Sequence, residues 1–130
     1  MSVFIINDKV SGSLLPLADL IERMRLEDIA TWRFRDVSLV GRGCPLGMSF
    51  DEFESASRER PDGFEVPDDE FRAFLESDFQ IVDGEIEAWS NEFPARCVVR
   101  LDCEDATQWE ITTDLPELSR KLETTGFTQA

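Results

Sequence analysis

The sequence predicts an α+β fold: one domain, a single antiparallel sheet of about four to five strands, and helices packed mainly on one side. Three observations predict it. In the C-terminal half, apolar residues alternate with polar ones, as in Cys97, Val99, Leu101 and Cys103 against Arg100 and Asp102. Elsewhere they recur at helical spacing behind recognisable start signals. The chain has 130 residues, 42% of them hydrophobic, with 10 Phe and 3 Trp. That is one domain's length, and too apolar for disorder by composition.

The elements follow in order. Ser11-Gly12-Ser13 is a small loop. Leu14, Leu15, Leu17, Ala18, Ile21, Met24 and Leu26 then recur at helical spacing, so a helix is expected over about 14–26, with Pro16 in its first turn. Thr31 to Val40 alternates, but its apolar parity changes from Trp32 and Phe34 to Val37 and Leu39. A strand with a bulge near Asp36 reconciles the halves. Residues 41–47 (GRGCPLG) form a loop. Ser49 and Glu52 make a capping box for a helix over about 50–59, with Phe50, Phe53 and Ala56 inward. Arg60-Pro61-Asp62-Gly63 is a turn. Pro67-Asp68-Asp69-Glu70 opens a further helix with Phe71, Phe74 and Leu75 as its stripe, the acids sitting where the macrodipole favours them.

Asp83-Gly84, between FQIV and EIEAW, predicts a hairpin with a two-residue turn. Asn91 to Pro94 turns the chain again. Arg96 to Cys103 is the next strand, with Cys97, Val99, Leu101 and Cys103 inward. Glu104-Asp105 turns it into a strand facing Trp109, Ile111 and Thr113 inward. Asp114 and Glu117 form a second capping box for a helix through Leu115, Leu118 and Leu122, ended by Gly126.

Composition narrows the function. There is no His and no Tyr, which removes histidine bases, histidine metal ligands and phenolic acids. Three cysteines are an odd number, against a disulfide framework, and too few for a four-cysteine zinc site. The apolar run Val3 to Ile6 is too short for a signal-peptide core, and no stretch reaches a membrane span, so a cytoplasmic protein is expected. Cys44 precedes a helix N-terminus, which lowers thiol pKa values, but no histidine is present to take its proton; it reads as an incidental cysteine. Gly41, Gly43 and Gly47 echo a dinucleotide loop, yet Leu46 takes the sixth position, Pro45 stiffens the loop and no second βαβ unit follows. Asp102, Glu104 and Asp105 lack the twelve-residue calcium-loop pattern. The chain reads as no enzyme, with no cofactor and no metal.

Charge carries the positive signal. The net charge is −15, with 13 basic and 28 acidic residues. Residues 61–95 hold 11 acids against Arg72 alone. A small domain stays soluble with a net magnitude of about 2–8, so this excess calls for a reason. Phosphate and anionic-lipid binding both need clustered cations, so neither nucleic acid nor a membrane surface is the expected partner. A basic protein is. The candidate partner-binding residues are Asp68, Asp69, Glu70, Glu76 and Asp78 around the second short helix, and Asp83, Glu85, Glu87 and Trp89 on the predicted hairpin. Trp89 fits an interface anchor or a core residue under a helix equally well.

The acidic segment FQIVDGEIEAW and the closing segment WEITTDLPELSRKL, within residues 79–123, resemble the small acidic immunity proteins of bacterial toxin–immunity systems. The resemblance implies a cytosolic α+β domain without catalytic residues that occludes a toxin's active site or binds beside it. It carries over no site residue. The alternatives are a nucleic-acid mimic of anti-restriction or anti-CRISPR type and an adaptor or chaperone for a secreted effector.

Overall fold

A computed structural model of the chain describes residues 1–10, 12–43, 45–124 and 128–129. The elements are β1 (Ser2–Ile6), β2 (Lys9–Val10), β3 (Ser13–Leu14), α1 (Leu17–Met24), β4 (Ile29–Gly41), α2 (Phe50–Glu59), β5 (Phe64–Pro67), α3 (Asp68–Phe74), β6 (Phe79–Ser90), β7 (Cys97–Glu104), β8 (Gln108–Thr113), α4 (Pro116–Thr124) and β9 (Thr128–Gln129). One antiparallel sheet runs β5-β4-β6-β7-β8-β1-β9, and β2 pairs with β3 alone. The α+β class therefore holds. No helix among the described residues is long and apolar enough to cross a membrane.

Register organises the sheet into rows. Phe64, Phe34, Ile86, Leu101, Ile111 and Phe4 are successive cross-strand partners on one face. All but Phe64 are fully buried. Onto this row α2 and α3 bring an aromatic cluster. Trp32 stacks on Phe71 at 3.9 Å, and Phe34 meets Phe53 edge-on at 5.2 Å. The buried residues of α1 (Leu20, Ile21, Met24) and of α4 (Leu118, Leu122) join the same core.

The sheet has more strands than the expected four to five. The extra ones are short or lack a period: β1 reads Val3-Phe4-Ile5-Ile6, apolar at both parities, and β5 is four residues abutting a helix. The Asp83-Gly84 hairpin is corrected. Residues 79–90 form one strand, and Asp83-Gly84 lies at a bulge within it. The bulge predicted at Asp36 lies directly opposite: Asp36 has φ +50°, and Asp36 and Val37 face Gly84 alone. A Cβ on Gly84 would stand 2.6 Å from Val37 Cα. The glycine thus admits the neighbouring backbone and turns no hairpin. Both strands change parity together, so Ile81 and Ile86 both reach the core.

Three smaller corrections follow. The first helix starts at Leu17, not 14, because β3 takes Ser13 and Leu14 into its own pairing. In α2, capped by Ser49 and Glu52 as expected, Ser57 is buried where Ala56 was expected. Its hydroxyl accepts the Val37 N–H freed by the bulge, at 3.0 Å. The register also shifts between Ala88 and Trp89, so that Trp89 faces Cys97 and Cys97 leaves the core row. Cys44 and Gly126 lie outside the described residues.

Candidate functional site

The opposite face of the same strands is polar. Two rows cross it side by side. The first reads Glu65, Arg33, Glu87, Arg100, Thr112 and Val3. The second reads Arg35, Glu85, Asp102, Glu110 and Ile5. Every residue of the second row is half-buried.

Arg35 reaches both rows. Its Nη1 lies 2.6 Å from Glu87 Oε1 and 3.3 Å from Glu85 Oε1. Glu87 is the most enclosed acid of this face. It also accepts the Trp89 indole N–H at 3.4 Å and the Cys97 thiol at 3.8 Å. The Arg33 guanidinium lies 4.0 Å over the Trp89 ring, with Glu65 at 3.9 Å. Arg100 pairs with Asp102 at 3.2 Å. Burial, and then the Asp102 charge opposite, raise the Glu85 carboxyl above its ordinary range. Burial likewise raises Asp102, against the neighbouring Arg100; the Glu110 charge adds to the rise.

The nine sequence-predicted residues do not form one surface. Glu85, Glu87 and Trp89 share the polar sheet face. Asp68, Asp69 and Glu70 open α3, whose Phe71 packs on the apolar face against Trp32. Asp68 is half-buried there: it accepts the Trp32 indole N–H at 2.8 Å and pairs with Arg72 at 3.3 Å. Asp69, Glu70, Glu76 and Asp78 are exposed. The backbone carbonyl of Asp78 accepts the N–H groups of Arg42 and Gly43. Asp83 is exposed, and its carboxylate accepts the Asp105 N–H at 2.8 Å, tying β6 to the β7–β8 turn. Trp89 is half-buried on the polar face rather than in the core row.

Sequence reasoning missed two features. The sheet brings Asp102 and Glu110 level with Glu85, a juxtaposition visible only once the register is known. Phe93, in the β6–β7 connection, is fully exposed beside Glu92. An aromatic side chain that contributes nothing to the core is the residue type that anchors interfaces.

Two chemical readings find little support in the geometry. Burial pushes the Cys97 and Cys103 thiols up to about 11, so the nucleophilic thiolate is scarce at neutral pH. A cleft of about 270 Å³ opens between the chain leading into α1 and the start of β6. Its walls are Leu14, Leu15, Val40, Phe79, Ile81 and Trp109, with Asp78 also lining it. Ligand pockets usually span about 300–1,000 Å³ with several convergent polar groups, so this one is small and sparsely equipped. The chain matches no protein-family model, no curated protein and no solved structure.

Proposed function

We propose that this chain is a protein-binding inhibitor, an immunity protein that neutralises a bacterial toxin in the cytoplasm by covering a basic surface at the toxin's active site. One observation carries the reading. Of the 11 acids in residues 61–95, most remain exposed, among them Asp62, Glu65, Asp69, Glu70, Glu76, Asp78, Asp83 and Glu92. Local ion pairing with Arg72, the segment's sole cation, cannot neutralise them. Such a surface steers a basic partner and speeds encounter to about 10⁸–10⁹ M⁻¹s⁻¹ at low salt. Toxins that cut nucleic acid have basic clefts because their substrates are anionic, and they fit this chemistry. The helices cover the apolar face alone and leave the polar face to the partner. Exposed Phe93 supplies an apolar anchor near one end of β6.

The test is retention. The tagged chain is immobilised and challenged with nuclease-treated lysate of its own source, then eluted by a salt gradient. One basic protein held to high salt, whose toxicity the chain suppresses on co-expression, is the expected result. A broad low-salt smear would return the acids to an ordinary solvated surface. A retained host nucleic-acid-binding protein would move the reading to nucleic-acid mimicry.

A further inference from the structure

We propose that the partner docks on the polar face of the sheet, with an arginine- or lysine-bearing segment laid against the row Glu85, Asp102 and Glu110. The proposal rests on the reading of the chain as a binder of a basic protein, and adds where that protein sits.

The two rows of this face obey different rules. Glu65, Arg33, Glu87 and Arg100 alternate in sign at every strand. Cross-strand pairing of opposite charge stabilises a sheet, so this row completes itself. The neighbouring row begins the same way, with Arg35 facing Glu85, and then places Asp102 and Glu110 on the next two strands. Three carboxylates stand on adjacent strands about 4.8 Å apart. Like charges directly opposite one another destabilise the sheet. The nearby cations are already engaged: Arg35 is closest to the enclosed Glu87, and Arg100 answers Asp102 alone of the three. Among the described residues Glu110 has no ion-pair partner. What the row lacks is positive charge, and no strand of this sheet supplies it.

Burial favours this row over the exposed acids of α3. Glu85 and Asp102 are already partly withdrawn from water, so folding has met part of the desolvation cost that a binding event otherwise incurs. An incoming cation meets them at lower effective dielectric than it meets Asp69 or Glu76. Half-exposed Ile5 ends the row and half-exposed Val3 ends its neighbour, while Trp89 lies beyond on β6. A central charged strip with apolar groups at its margins is the layout of a specific interface. From β4 to β1 the row spans five strands, about 20 Å, wide enough for one segment of a protein partner.

The test uses the whole chain, ¹⁵N-labelled, titrated at low salt with a short blocked peptide carrying three arginines. The control peptide carries citrulline in their place. The amide shifts are expected to centre on Glu85, Asp102, Glu110 and their neighbours, with the arginine peptide only. Asp102→Arg restores sign alternation across the row. It is expected to weaken the peptide about tenfold and to raise the urea midpoint of the free protein, a gain in stability joined to a loss of binding. Asp102→Asn, the milder variant, should move both readouts in the same directions by less. Shifts centred on Asp69, Glu70 and Glu76, or unchanged affinity in both variants, overturn the sheet-face site while the basic-partner reading stands. Equal responses to the arginine and citrulline peptides overturn both.

Discussion

The two faces of the sheet are built from the same strands, one residue out of phase, and they differ in completeness. On the apolar face Phe34 has found its partners: Phe53 at 5.2 Å, Phe74 at 5.5 Å and Phe71 at 5.9 Å. On the polar face Glu85, the cross-strand partner of Arg35, meets a second carboxylate on its other side. The difference reflects what water tolerates. A cavity in a dry core costs several kcal/mol, so the apolar face must be filled. A like-charge pair at a wet surface costs about 0.2–1 kcal/mol, so the polar face can keep it. A conflict retained cheaply on an exposed face is where function can reside.

The comparison can be broken most strongly from the apolar side. Phe34→Ala removes the hub of the aromatic cluster and should cost about 3–5 kcal/mol in urea denaturation. A loss below about 1 kcal/mol would mean the cluster is not the organising core. Gly84→Ala tests the bulge that keeps both faces in register. Its φ of +131° and the 2.6 Å approach to Val37 Cα leave no room for a methyl group. Destabilisation of about 2–3 kcal/mol is expected from strain and overpacking. A neutral result would make Asp83-Gly84 an adaptable loop. Ser57→Ala leaves the Val37 N–H without its acceptor and should cost about 1–2 kcal/mol. A backbone amide at Val37 that stays protected from hydrogen exchange in that variant would show another acceptor.

The smallest effect sharpens the polar side. Glu85 and Asp102 have folded-state pKa values raised above 4.5 and 3.8, chiefly by burial. A raised carboxylate binds its proton more tightly folded than unfolded, so these two groups destabilise the fold when charged. Their penalty is present at neutral pH and is relieved as pH falls through the folded values toward the ordinary ones. Asp102→Asn should therefore stabilise the protein by about 0.2–1 kcal/mol at pH 7, with the advantage shrinking on acidification. An advantage that grew at low pH would reverse the sign and remove the conflict from the row.

Much of this was legible along the chain. The capping box at Ser49 and Glu52, the parity break at Asp36 and the inward set Trp109, Ile111 and Thr113 are local patterns, and they stand as read. The β-strand Ser2–Ile6 was not legible, because an apolar run buried on one side and half-buried on the other has no period. Nor was Cys97, whose alternation is undone by a register shift at Val98 that no neighbouring residue announces.

Local chemistry thus determined the α+β class, the helix starts, the acidic segment and the absence of histidine chemistry, because each depends on residues near one another in sequence. Tertiary structure decided what Asp83-Gly84 does. The dipeptide suits a hairpin turn as well as a bulge, and the backbone of Val37, 47 residues earlier in the chain, occupies the space that makes it a bulge. Pairing likewise decided that Glu85, Asp102 and Glu110 stand in one row, since register is a relation between strands and no single strand contains it.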